Sequence, residues 1–476
     1  MMGMHLSFDF SLVLESNLKN GDGMTSAAMK AAVRRAGRIS KITEKRHAAG
    51  QIGFPDLPFN LGEAKAIGRI AATLRKKYSR MLVLGIGGSA LGTKAVLEAI
   101  GPAAKKGMSV QVADNVDPDF FFPLLRSAPM SETVVVAISK SGTTAETNSQ
   151  LAIAIDALRK ANPKGWRDQV VLITDPEKGV FRKLADDEGI ATLPVPENVG
   201  GRFSVMTPVG LLPLAAAGVS IDRLLDGAAW MEAMFRSVPV DDNPVIKAAA
   251  VYAHYMRENP KPVQLWFTYG HGLDRVAEWW QQLWGESLGK RRPGGGSVGQ
   301  TPCRAVGVTD QHSQVQLYQD GPSDKIFTFV KWKEGREKGK VPKATFSPDM
   351  AMLGNRPLRD LFEAEFEGTI GALWDAGRPI VRIEIGKPDE AHLGAFLHFW
   401  MWVTAIIGDI LEIDAFDQPG VEEGKKIARA LMGEKGAEAR RAAFLRKSEK
   451  RVRDETHIED RPAGKSETGE PEETGE

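Results

Sequence analysis

Ser139, Ser141, Thr143, Thr144 and Thr147 place five hydroxyls around Lys140 within nine residues. Such a density of short donors beside a full positive charge suits a phosphate. The group follows the apolar, β-branched run Thr133–Ile138 and precedes Ala145–Ala161, whose apolar spacing is that of a helix packed on a sheet. The pattern predicts strand, turn and helix, with the turn at the helix N-terminus, where unpaired N–H groups and the helix dipole favour an anion. Gly142 lets the backbone come close to a ligand. Taken singly, each Ser or Thr is an ordinary cap or turn former; their concentration after a buried strand is what points to a binding loop.

Residues 80–92, RMLVLGIGGSALG, repeat the design: an apolar strand, then a glycine-rich turn containing Gly88 and Ser89, then a helical stretch to Ile100. Gly85, Gly87 and Ala90 also satisfy a loose dinucleotide fingerprint, with Asp114 ending the next strand where a ribose-binding acid would lie. That short pattern recurs by chance. Two neighbouring units, one glycine-rich and one hydroxyl-rich, fit one small phosphate ester better than an extended dinucleotide.

Four more segments carry reactive residue types. In 199–210, VGGRFSVMTPVG, Arg202 follows two glycines and is placed to meet a phosphate oxygen or a developing oxyanion. In 279–290, WWQQLWGESLGK, Gln282 and Glu286 share a helix face. Glu286 among Trp279, Trp280 and Trp284 is expected to lose hydration, which would raise its pKa toward that of a general base. In 309–318, TDQHSQVQLY, His312 sits in a polar setting and is of the type that can move protons near neutral pH. In 414–426, DAFDQPGVEEGKK, Gln418 and Lys425 flank a turn that opens a helix. The eight histidines form no two-histidine helical motif and Cys303 has no cysteine partner, so no metal site is expected.

The elements that must position these residues alternate. Helices over 24–49 and 62–77 form an expected helical N-terminal lead-in, residues 1–77, packing on the larger domain. Strands MLVLGI, SVQVAD, TVVVAI, QVVLIT and ATLPVP then alternate with helices over 78–220. After a helical region from Ile221 to Glu258, a second set follows within 221–432: PVQLWFTY, IFTFVKW and PIVRIEI, with helices between them. Such alternation predicts an α/β protein with two parallel sheets covered by helices on both faces. Residues 433–476 read as a charged C-terminal helical arm, disordered from about Arg461. The apolar stretch 393–408 is short for a membrane span and bracketed by acids, so a buried core or interface helix is expected, with His398 a satisfied core histidine.

The 62 basic and 61 acidic residues among 476 imply no polyanion partner such as nucleic acid. The N-terminus has acids through its apolar stretch and no basic start, which argues against a signal peptide. With a single cysteine, a reducing and therefore cytoplasmic location is expected.

Together GIGGSALG, ISKSGTTAETN, VGGRFSVMTPVG, WWQQLWGESLGK, TDQHSQ and FDQPGVEEGKK resemble, in family order over residues 85–426, the phosphoglucose isomerase family in its compact bacterial form. The resemblance implies two sugar-isomerase (SIS) type α/β/α sandwiches, a homodimer, and reversible interconversion of glucose 6-phosphate and fructose 6-phosphate without metal, nucleotide or other cofactor. It assigns the phosphate to Gly88, Ser89, Ser139, Lys140, Ser141, Thr144 and Thr147. It assigns ring opening to Lys425 and to His312, the latter reaching in from the neighbouring subunit. Glu286 becomes the base that moves a proton between C2 and C1 through a cis-enediol, Arg202 the stabiliser of its negative charge, and Gln282 and Gln418 the groups that position hydroxyls. A noncatalytic phosphosugar-binding regulator is the nearest alternative, since it needs the phosphate loops but not Glu286, Arg202 and His312 together.

Overall fold

Alternate residues of single strands face different cores, which defines the layering. In a computed structural model describing residues 3–18, 21–101, 107–343 and 346–451, Met81 and Val83 join one buried cluster while Leu82 and Leu84 join another. Trp266 and Leu265 are divided in the same way in the second half. Strands buried on both faces need helices on both faces, and the apolar runs of the sequence reflect that demand.

In chain order, β1 (Leu6–Asp9), α1 (Ser26–Ala48) and α2 (Leu61–Lys77) come first. The first sheet unit comprises β2 (Arg80–Leu84), α3 (Leu91–Ile100), β3 (Ser109–Ala113), α4 (Pro118–Arg126), β4 (Thr133–Ile138), α5 (Ala145–Ala161), β5 (Val170–Thr174), α6 (Val180–Glu188) and β6 (Ala191–Pro194). The helices α7 (Pro208–Ala217), α8 (Ile221–Ser237) and α9 (Pro244–Arg257) lead to the second. That unit comprises β7 (Val263–Tyr269), α10 (Asp274–Leu288), the short hairpin β8 (Lys290–Arg291) and β9 (Ser297–Val298), β10 (Thr301–Gly307), α11 (Val315–Asp320), β11 (Lys325–Trp332), α12 (Leu358–Asp375), β12 (Ile380–Ile385) and α13 (Glu390–Ile410).

The first sheet has the order β3-β2-β4-β5-β6, all parallel. The second has the order β1-β12-β11-β7-β10, parallel except at β1. The expected α/β class with two parallel sheets is therefore present, and the expected helical lead-in needs correction at its start. Leu6 and Phe8 alternate with Ser7 and Asp9, a period of two that suits a half-buried strand. That strand pairs antiparallel with β12, Leu6 opposite Ile385, and covers an otherwise open sheet edge. Phe8 stacks on Phe399 of α13, ring centroids 4.4 Å apart.

The helix α13 is apolar around its whole circumference and is long enough to cross a bilayer, but 94% of its apolar window is buried inside the protein. It packs on α8, α9, α1 and α10, as a helix without a polar face must. His398 on α13 meets Glu232 of α8 at 2.8 Å, and Trp402 donates its indole N–H to the same carboxylate at 2.5 Å. The histidine is thus a partnered core residue, as expected.

A compact unit closes at Asp417, earlier than the expected change at Gly433. The residues from Gln418 form a second unit. Within it, α14 (Glu422–Leu431) and α15 (Glu438–Glu449) are linked by Arg440 and Glu423 at 3.4 Å. The disorder expected from about Arg461 lies outside the described residues.

Candidate active site

Gly87 and Gly88 allow two close approaches to the turn after β2. A methyl group on Gly88 would come within 2.2 Å of the Gly201 carbonyl carbon and 2.6 Å of the Arg202 nitrogen, all main chain. One on Gly87, which has φ near +59°, would meet the Gln282 amide at 2.9 Å. The glycine-rich turn after β2 is therefore packed against both the Arg202 loop and α10. Ser204 stitches the first contact, its hydroxyl reaching the Gly88 carbonyl at 3.4 Å as well as the Gly201 carbonyl of its own loop at 2.6 Å. Gly88→Ala is expected to destabilise the protein by about 1–3 kcal/mol through overpacking, read as a lowered Tm. An unchanged melt would mean that the two loops can part freely.

The hydroxyl loop leaves β4 and ends at the N-terminus of α5, as the sequence predicts. Ser139 and Thr144 share a hydrogen bond at 2.9 Å, and Thr143 donates to Ser141 through both its N–H (3.2 Å) and its hydroxyl (2.9 Å). Gly142 takes φ near +64° and its missing Cβ admits the Phe181 backbone. Thr147 is buried and its hydroxyl has no hydrogen-bond partner. Lys140 donates to the carbonyls of Glu197 (2.7 Å) and Val199 (3.2 Å), so it ties the hydroxyl loop to the segment leading into Arg202. Burial lowers the Lys140 pKa, opposed by Glu197 and Asp175.

Arg202 is 2% exposed and its guanidinium is held on several sides. Nε donates to Ser287 Oγ at 2.7 Å, and one terminal nitrogen donates to the carbonyls of Ala415 (2.5 Å) and Asp417 (2.9 Å). The other terminal nitrogen lies 3.5 Å from Glu286. Burial pulls its pKa down, while Glu286, Asp417 and Asp414 act to raise it; an arginine keeps its charge under such conditions. Gln282 donates to Glu286 at 3.3 Å from one turn earlier on α10.

The expected apolar cage around Glu286 is not what α10 builds. At about 100° per residue, Trp279 shares the Glu286 face two turns earlier, but Trp280 and Trp284 lie well around the helix. They pack with Trp266 and Trp400 in the core. The Glu286 side chain is 30% exposed and faces Arg202, so a fixed positive charge, not a tryptophan wall, is its main neighbour.

The remaining expected residues are placed less centrally. His312 ends an exposed turn after β10 and has no described partner of its own. The turn itself is held by Asp310, which accepts from the Val306 N–H and the Ser313 hydroxyl, each at 2.7 Å. Burial works to raise the Asp310 pKa, but these hydrogen bonds hold it below the usual carboxylate range. Gln418 and Lys425 belong to the second unit, where Lys425 pairs with Glu422 at 3.2 Å. Asp114, the residue a dinucleotide would need, is paired with Lys94 at 2.7 Å. Among the described residues no cluster of three or more histidine, cysteine or acidic side chains could hold a metal ion.

The phosphoglucose isomerase family model matches residues 63–449. This chain belongs to the phosphoglucose isomerase family. A glucose-6-phosphate isomerase from Carboxydothermus hydrogenoformans is 41% identical over 86% of this chain and 90% of its own length. One from Thermus thermophilus is 36% identical over 82% of this chain and 92% of its own. A crystal structure of a hypothetical protein from Thermus thermophilus superposes with TM-score 0.81 at 33% identity, covering 90% of this chain and all of that one. A glucose-6-phosphate isomerase from Chlamydia trachomatis has the same fold, with TM-score 0.77 at 18% identity over 93% and 92% of the two chains.

Sequence reasoning passed over two residues of this candidate site although both stand in a quoted motif. Ser287 follows Glu286 and orients Arg202. Lys290, with an 8% exposed side chain, donates to the Asp414 carbonyl at 3.0 Å and grips the Asp417 carbonyl and carboxylate. Arg46 of α1 holds the same turn from the other direction, at 3.0 Å to Asp414. A cationic residue directly after a helix was the available signal, and it reads equally as a dipole partner. Lys290 thus fixes the turn whose carbonyls grip Arg202. Lys290→Met is expected to lower kcat on the order of tenfold, through misplacement of Arg202, with KM little changed and with partial rescue by Lys290→Arg. Equal kcat in all three proteins would show that the turn holds without it.

Proposed function

We propose that this protein interconverts glucose 6-phosphate and fructose 6-phosphate, the aldose–ketose step shared by glycolysis and gluconeogenesis. The observation that carries the reading is the buried Arg202 guanidinium 3.5 Å from Glu286, beside the glycine-rich turn. Moving a proton alpha to a carbonyl requires a base, a stabiliser for the resulting oxyanion and a way to expose the carbonyl.

In this reading Glu286 removes the C2 proton of the open-chain aldose and returns it to C1. The intervening cis-enediol carries negative charge that Arg202 faces. Gln282 and Gln418 position sugar hydroxyls, and His312 and Lys425 open the ring. Gly88, Ser89, Ser139, Lys140, Ser141, Thr144 and Thr147 hold the phosphate, whose remoteness from the reacting carbons lets its binding energy orient the sugar. The unpaired Thr147 hydroxyl supports that assignment, since a buried polar atom wants a partner.

The reading includes two sugar-isomerase domains meeting near residue 220, a cytoplasmic location, and a homodimer in which each subunit lends His312 to its neighbour's site. The exposed His312 side chain is compatible with that loan. The deciding experiment is the rate of glucose 6-phosphate formation from fructose 6-phosphate with a chelator present. Turnover carries the isomerase reading; tight binding of the sugar phosphate without conversion would replace it with the regulator.

A further inference from the structure

A cavity of about 620 Å³ opens beyond the carboxyl ends of β7, β11 and β12, and none of the residues assigned above to the active site lines it. Its size falls in the range of about 300–1,000 Å³ usual for small-molecule sites. Strand order explains its place. In the second sheet β10 lies on one side of β7 and β11 on the other, and open α/β sheets bind ligands outside the strand ends where the order reverses in this way. In the first sheet the same reversal falls between β2 and β4, and the turns leaving those two strands are the glycine-rich and hydroxyl loops. β7 also leads into a Gly-His-Gly turn and a helix, the strand–turn–helix design of β2.

The lining sorts into two kinds of surface. Trp332 and Phe362 supply aromatic wall. Lys338 and His271 line the same space, and their side chains have no hydrogen-bond or ion-pair partner among the described residues. The 18-residue helix α12 begins beside the cavity, and its first N–H is already engaged, Leu358 donating to the Gly339 carbonyl at 2.9 Å. Two of the nearby carboxylates are already engaged, Glu98 with Arg275 at 3.4 Å and Glu334 with Lys387 at 3.9 Å. Arg336 braces the wall by donating to the Ala99 carbonyl at 3.1 Å. Glu337 remains as an acceptor for a hydroxyl or amino group.

We propose that this cavity is a second ligand site, for a phosphate ester with a ring body, the class of a nucleoside monophosphate. The phosphate meets Lys338 and His271, and the ring lies against Trp332 and Phe362.

The test is calorimetric titration of the whole chain with adenosine 5′-monophosphate while fructose 6-phosphate saturates the isomerase site, with inorganic phosphate titrated in parallel. One nucleotide per chain is expected, bound more tightly than inorganic phosphate and weakened about tenfold or more by Lys338→Glu, a change of charge at the mouth of a site. His271→Ala provides a second variant should Lys338→Glu fail to fold, as judged by circular dichroism. Loss of nucleotide binding once fructose 6-phosphate is present would overturn the proposal, because the nucleotide would then be using the isomerase site. Equal affinity for inorganic phosphate, or equal binding by the folded variants, would overturn it as well. The titration reads binding alone, so its result does not depend on whether the isomerase reading holds.

Discussion

Glu286→Gln is expected to lower glucose 6-phosphate formation from fructose 6-phosphate by on the order of a hundredfold to ten-thousandfold, the usual contribution of a positioned general base. Glutamine keeps the size of the side chain and its place one turn beyond Gln282, so substrate binding should change little and the loss should fall on kcat. The structure refines why this carboxylate is suited to the task. Its 30% exposed side chain lies 3.5 Å from Arg202 and accepts a hydrogen bond from Gln282 at 3.3 Å. It is therefore aimed by its neighbours, beside a permanent cation. A variant that turns over as fast as the parent would leave the reaction in place and remove Glu286 as its base.

Arg202→Lys should separate charge from geometry. The guanidinium fork satisfies Ser287 Oγ, the Ala415 and Asp417 carbonyls and the Glu286 carboxylate together, from a position only 2% exposed. An ammonium keeps the positive charge but offers a single donor point that cannot span these acceptors. Carbonyls left unpaired in a buried setting cost about 1–3 kcal/mol each. Loss of one donor placed for an oxyanion typically costs on the order of a hundredfold to a thousandfold in kcat. The expected result is a kcat lowered to that extent together with a lower Tm. Wild-type kcat in a folded Arg202→Lys protein would mean that charge alone is enough, and that the fork serves only the fold.

The strand–turn–helix units around 80–100 and 133–161 were legible because apolar strands and hydroxyl- or glycine-rich turns are local patterns. The same holds for the second set of strands and for the apolar α13. The strand β1 was missed because four residues carry little period-two signal, and only the open edge of β12 gives them a partner. The boundary at Asp417 was missed because composition changes at Gly433 while packing changes earlier.

Within the site, residue types were readable and neighbours were not. The tryptophans next to Glu286 in sequence belong mostly to the core, where Trp280 and Trp284 meet Trp400. Arg202, 84 residues away, is its true electrostatic partner. Sequence by itself determined the chemistry available: hydroxyls, a lysine, an arginine, glutamates and the glycines that permit close approach. Only the tertiary structure decided which of these groups face one another, because Gly88 against Gly201, Lys140 against Val199, and Lys290 against Asp417 are contacts between segments far apart in the chain. Their energies come from main-chain packing and hydrogen bonds between distant segments, which leave no periodic trace along a single segment.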